Sequence, residues 1–448
     1  MSPRRRLLSL AGLGAGLLAI TAAGLAAQAA DHRSLFLVLA LGQGALYFAA
    51  AWLVWRNPPP RSLIVILLVA AAARLAVLAA PPYLSDDVNR YVWDGRVQGA
   101  GINPYRYVPT DEHLADLRDD AIFPNINRSN YAHTIYPPVA QMVFFLVTRL
   151  SERVTAMKIA MLGFELVTIA ALMRLLRHLD APAERLLLYA WHPLPIWEIA
   201  GNGHLDAAAL AFLMLAYCAK ARGRSFAAGV ALGAATLVKF LPAVILPALW
   251  RRGEWRLPVA LLVTVAAAYA VYIGPAGTKV FGFLGGYSAE EQLVSGGGFF
   301  LWTVALSVWQ WMGGTSPAAL GALPYLILAL GVLAWLALRS LSTEENLDAE
   351  LGAGAALVFA LLVLLSPHYP WYFLLAVPFF CFRPYPPMLW LTVASFLLYA
   401  LGWPAPADAH RMLVESLMYG GCLALALYLW LRDRRDRREG VAHDAGAA

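Results

Sequence analysis

Charge is what this sequence has least of. Asp, Glu, Lys and Arg make up 14% of its 448 residues, where a soluble chain carries roughly 25%. A water-soluble globular protein of this length is thereby excluded. Cysteine is almost missing as well. Cys218, Cys381 and Cys422 sit at irregular spacing in apolar segments, which excludes a disulfide framework and a thiolate metal motif. No inverted internal repeat of the secondary-transporter kind is visible. No separate soluble domain interrupts the chain, so 1–448 reads as a single transmembrane domain. The net charge of +6 needs no nucleic-acid partner, because the basic residues cluster at the ends of apolar runs, as positive-inside loops do.

What the chain does have is apolar surface. Hydrophobic residues reach 60%, with fifteen Trp and nineteen Tyr to sit at membrane interfaces. A bilayer core takes about 20 apolar residues per helix. The pattern predicts an all-α, polytopic membrane protein of about 11–13 transmembrane or re-entrant helices. Helices are expected near 7–30, 34–55 and up to 82, then near 137–150, 155–175, 257–273, 318–338, 351–365, 371–382, 387–402 and 412–431. Arg4 to Arg6 before a charge-free run resembles a signal peptide, but the length of the run favours a helix that stays.

The basic turn Arg56–Arg61 and the basic tail Arg432–Arg438 read as cytoplasmic. They place the loop 83–135, the loop Ser366–Tyr372 and a second outer stretch, 274–317, on the other side, with Trp403–Arg411 as a further outer loop. The basic segments Arg174–Arg185, Lys220–Arg224 and Arg251–Arg256 leave too few residues between them for full double spans. Short hairpins are expected, with tips near Gly201–His204 and near Lys239, since irregular backbone at membrane depth is tolerated where it lines a cavity. Counting forward from the third helix through 137–150 and 155–175 disagrees with this scheme by one crossing.

Several side chains suit chemistry. Asp86 and Asp87 are adjacent carboxylates at a membrane boundary, suited to a general base or a divalent metal ion; the bland reading is a helix N-cap. Asp94 lies one to two turns on, on the same face. Glu198, Asn202, His204 and Asp206 crowd into one apolar stretch, where polar groups are costly unless used. Lys239 sits deep in an uncharged run, too far to snorkel, and calls for an anion. His368 lies among aromatics on the side of Asp87. Arg74 is expected to pair with Glu165. Glu290, Glu291 and Gln292 read as solvated. Gly101-Ile-Asn-Pro-Tyr105 and Tyr136-Pro-Pro read as scaffold.

The ordered set Tyr83-Leu-Ser-Asp-Asp-Val-Asn-Arg-Tyr-Val-Trp-Asp-Gly, Gly-Ile-Asn-Pro-Tyr, Tyr136-Pro-Pro, Trp191-His-Pro, Glu198-Ile-Ala-Gly-Asn-Gly-His-Leu-Asp206 and Thr236-Leu-Val-Lys-Phe-Leu-Pro242 resembles GT-C superfamily glycosyltransferases. The nearest look is to polyprenol-phosphate-mannose-dependent mannosyltransferases. The similarity covers about residues 83–250, with an echo at Ser366–Tyr372. It implies inverting sugar transfer from a polyprenyl-phosphate donor to a lipid or glycan acceptor on the non-cytoplasmic face, here the outer face of a bacterial inner membrane. It implies Asp87 as base with Asp86 beside it, Lys239 near the lipid phosphate and His368 close by. Glu198, Asn202, His204, Asp206, Asp94 and Tyr136 are then expected to bind substrate. Helices 1 and 2, and His192 in place of the usual Asn before Pro193, depart from many members. The rival reading is a transporter or flippase of lipid-linked sugars.

Overall fold

The computed structural model describes residues 2–315, 321–341, 346–401 and 409–446. The chain runs α1 (Pro3–Ala29), α2 (Arg33–Arg56), α3 (Ser62–Leu78), α4 (Asp87–Gly99), α5 (Pro138–Leu150), α6 (Val154–His178), α7 (Leu187–Ala190), α8 (Asp206–Lys220), α9 (Ser225–Val238), α10 (Leu246–Leu249), α11 (Arg256–Ala276), α12 (Leu284–Glu290), α13 (Phe300–Trp311), α14 (Leu323–Ser340), α15 (Leu347–Leu365), α16 (Pro386–Ala394), α17 (Ala409–Glu415) and α18 (Gly421–Gly446). A π-helical turn, Pro195–Gly201, precedes α8, and a 3-10 helix, Pro370–Cys381, precedes α16. Outside the described residues lie 316–317 of the expected outer stretch 274–317, the start of the helix expected at 318–338, the last residue of the one expected at 387–402, and 403–408 of the expected outer loop after it.

Among the described residues, seven helical runs are long and apolar enough to cross a bilayer. The π turn and α8 make a further pair, bent by 115°, and five shorter apolar helices complete the set. This is a multi-pass helical membrane protein, with the eleven to thirteen expected segments divided between full spans and shorter pieces.

Packing follows from small residues and a few buried charges. A Cβ on Gly14 would lie 2.9 Å from the Trp191 ring, and one on Gly24 2.9 Å from Trp197. Glycine at both positions lets α1 lie directly on these indoles. Arg74 of α3 donates to both Glu165 oxygens of α6, at 2.9 and 2.6 Å, and to the Ala190 carbonyl at 2.8 Å. The expected pair is therefore present, and both members are buried. Lys158 of α6 donates to the Val77, Leu78 and Ala80 carbonyls at 3.3, 3.0 and 2.6 Å. It thus caps the C-terminus of α3, where carbonyls lack helical partners.

The basic connections gather at one end of the bundle. Arg6 donates to the Asn57 carbonyl, Arg185 stacks on Trp55, Lys220 faces Glu350, and Arg383 pairs with Asp348. The C-terminus of α3, the start of α4 and both hairpin tips meet at the other end. The segment α5 corrects the helix count. It begins beside Tyr136 and ends just before Glu152, which accepts from Arg96 of α4 at 2.8 Å. Lys158, six residues further on, is still at the C-terminus of α3. Both ends of α5 therefore lie at the same end of the bundle. It does not cross, and the mismatch of one crossing disappears.

Candidate active site

The non-basic end holds a cavity of about 1010 Å³. Asp86, Asp87, Tyr136, Asp206, Lys239 and His368 all line it. They come from five separate segments, which the helices bring together.

Asp86 is the residue before α4 and Asp87 is its first residue. A carboxylate there faces the positive end of the helix dipole. The helix is fixed from behind: Val88, Tyr91 and Val92 are buried, and Tyr91 stacks on Phe144 of α5 at 4.6 Å between ring centres. The Asn127 amide donates to Asp86 at 2.7 Å and to Asp87 at 2.9 Å. Desolvation in the cavity mouth, and then the neighbouring Asp87 carboxylate, raise the Asp86 carboxyl above its usual range. Asn127 turns its NH2, not its oxygen, toward both carboxylates. Among the described residues, no group of three or more His, Cys, Asp or Glu is placed to hold a metal ion.

Lys239 stands where α9 breaks, in extended backbone. Its ammonium donates to Asp206 at 2.8 and 3.0 Å and lies 3.9 Å from the centre of the Tyr372 ring. Asp206 opens α8 at the other hairpin tip. Each expected tip is thus a real break, and the two are joined by an ion pair. Tyr287 and Tyr372 share a hydrogen bond of 2.7 Å along the same wall.

Four residues expected to bind substrate do not line the cavity. Asp94 is buried, accepting from Arg90 at 2.8 Å and from Gln141 at 2.9 Å, so it fixes Arg90 in the wall. Glu198, Asn202 and His204 are buried behind the Tyr83–Leu84 stretch of the wall. Asn202 donates to Glu198, Tyr399 donates to Glu198, and the His204 ring stacks on Trp371. Sequence reasoning found these groups costly but could not tell a lining residue from one that holds the lining.

His368 lines the cavity, yet both of its ring nitrogens are engaged. Nδ1 meets Glu291 at 2.7 Å; Nε2 meets Arg411 at 2.7 Å and the Gly298 carbonyl at 3.1 Å. It fastens the second outer stretch to the wall rather than presenting a free base. Glu290 and Glu291 are likewise not simply solvated. Glu290 accepts from Arg128 at 2.7 Å and from Tyr131 at 2.8 Å, and Glu291 is buried against His368. The Asn-Pro-Tyr turn is scaffold: Asn103 donates to the Tyr272 carbonyl, and Tyr105 to that of Tyr136. Asn127, Arg128 and Tyr399 carried no sequence signal, being isolated polar residues far along the chain from their partners.

Residues 5–251 match the model of a family described as alpha-(1->6)-mannopyranosyltransferase, N-terminal domain. No curated protein and no solved structure matches the chain. The match begins inside α1, so the two helices that looked like a departure from the GT-C pattern fall within the family's own extent. It takes in both carboxylates of the α4 start, the Glu198–Asp206 turn and Lys239. Matched over more than half its length, this membrane-embedded chain belongs to the alpha-(1->6)-mannopyranosyltransferase family and is a glycosyltransferase.

Proposed function

We propose that the chain moves a mannosyl residue from a polyprenyl-phosphate donor to a hydroxyl of a lipid or glycan acceptor, on the non-cytoplasmic face and with inversion. The observation that carries this reading is the single cavity shared by Asp86, Asp87 and Lys239. The acceptor oxygen attacks the anomeric carbon as the carbon–phosphate oxygen bond breaks. Asp87 takes the hydroxyl proton. The polyprenyl phosphate leaves with the bonding pair, and Lys239 stabilises the charge that develops on it. An α-linked product formed with inversion requires a β-linked donor. The basic connections gathered at the opposite end of the bundle support an outward-facing cavity.

The test uses purified protein and polyprenyl-phosphate mannose. Asp87→Asn should lose transfer by roughly 10²–10⁴-fold, the usual worth of a general base, while still binding donor. Asp86→Asn is the companion variant. If both transfer sugar at wild-type rate, the base lies elsewhere. Movement of such lipids across a bilayer without any transfer would instead establish a flippase.

A further inference from the structure

The Glu198–His204 turn is a buried polar cluster behind the cavity wall that the mechanism above leaves without a task. Its three polar side chains are 3% exposed or less, and polar groups at membrane depth are rarely kept without function. Asn202 points its oxygen at the backbone. Oδ1 accepts from the N–H groups of both Tyr83 and Leu84, each at 3.2 Å. These are the peptides that lead directly into Ser85, Asp86 and Asp87. The other half of the amide, Nδ2, donates to Glu198 at 3.1 Å. Glu198 is itself held by the Tyr399 hydroxyl at 2.9 and 3.0 Å.

The turn that carries Asn202 is stiff. The N–H groups of Asn202, Gly203 and His204 bond back to the Trp197, Ile199 and Glu198 carbonyls at 2.9, 2.9 and 3.0 Å. Gly203 has φ +76°, and a Cβ there would stand 3.0 Å from the Lys158 side chain and 3.2 Å from Val88. Three residues beyond Gly203 comes Asp206, the partner of Lys239. One rigid turn therefore touches both ends of the site: the carboxylate end through Asn202, and the phosphate end through Asp206.

We infer that Asn202 is a positioning residue, oriented by Glu198, which sets the Asp86–Asp87 carboxylates at a fixed place relative to the Asp206–Lys239 pair. This rests on the reading of Asp87 as the base. Asparagine suits the post because its oxygen accepts two N–H groups while its NH2 donates to a carboxylate. Aspartate at this position would keep the acceptor but set a second negative charge against Glu198.

The experiment has two readouts, mannosyl transfer from polyprenyl-phosphate mannose and hydrogen exchange of the Tyr83 and Leu84 amides. Asn202→Ala should speed exchange at both amides. It should lower kcat by roughly 10²-fold, as a misplacement of about 1 Å does, with donor binding unchanged. Asn202→Asp alone should also be impaired. Asn202→Asp combined with Glu198→Gln should recover both readouts, because the Gln amide donates to the new carboxylate and the two backbone N–H groups keep their acceptor. Wild-type exchange in Asn202→Ala overturns the proposal, as does loss of donor binding in step with kcat. If Asn202→Ala does not fold, the Asn202→Asp pair decides: equal rates with and without Glu198→Gln overturn the proposal, and recovery upholds it. An active Asp87→Asn enzyme would remove the base assignment but leave the exchange result standing, so the two failures are distinguishable.

Discussion

Replacing Lys239 should do more than remove one cation. Its ammonium is bound to both Asp206 oxygens at 2.8 and 3.0 Å, so a donor phosphate arrives at a lysine whose charge is already shared. Lys239→Ala deletes a charge-assisted hydrogen bond, worth about 1.5–3 kcal/mol, or roughly 10–150-fold in kcat/KM. It also strands the Asp206 carboxylate, whose side chain is only 8% exposed, beside the phosphate it would repel. Adding Asp206→Asn removes that repulsion. Groups in direct contact couple by about 0.5–3 kcal/mol, so the double variant should regain several-fold of the loss. Asp206→Asn alone leaves Lys239 free to bind phosphate and should lower the donor KM. Asparagine is also an adequate residue at a helix start, so α8 should survive the change. The assay is transfer of labelled mannose in detergent or proteoliposomes, with donor concentration varied. A double variant no faster than Lys239→Ala, or an Asp206→Asn enzyme that binds donor as poorly, would show that the pair is only structural and the phosphate sits elsewhere.

Three further outcomes follow from the packing. Arg74→Met leaves Glu165 charged and unpaired in the bundle and should cost about 3–5 kcal/mol; Arg74→Met with Glu165→Leu should recover most of it, read as thermal midpoints in detergent. Gly203→Ala forces a side chain into left-handed backbone at about 1–2 kcal/mol, and an unchanged midpoint would refute that strain. Hydrogen bonds from Arg96, at 2.7 Å, and from the Ile122 and Phe123 N–H groups hold the Asp119 carboxyl at about 2, below the ordinary value of about 3.9. That stabilisation is complete above about pH 4 and is lost as pH falls through about 2. The thermal midpoint of wild type should therefore drop more between pH 5 and pH 3 than that of Asp119→Asn.

Much of this fold is legible in the chain because membrane burial is a compositional signal. Arg74 and Glu165 could be paired on sequence alone, since few other charges lie so deep. The breaks at Gly201–His204 and Lys239 were legible from the spacing of basic residues. The path of α5 was not. Its apolar face looks like a span, and only the contacts of Glu152 and Lys158 show that it stays at one end. The cavity itself resisted prediction for a related reason. Polarity at membrane depth marks Glu198, Asn202, His204 and Asp206 equally, yet only Asp206 reaches the lining. Asn127 binds both carboxylates from 40 residues away in a polar loop, where one asparagine looks like any other.

The Arg74–Glu165 pair also bears on how the protein is made. Its partners are 91 residues apart. At a synthesis rate of roughly 5–20 residues per second, the arginine joins the chain about 5–18 seconds before its glutamate exists. During that interval α3 is a seventeen-residue helix carrying an unneutralised guanidinium, a poor candidate for release into lipid. Insertion of α3 is therefore tied to the arrival of α6.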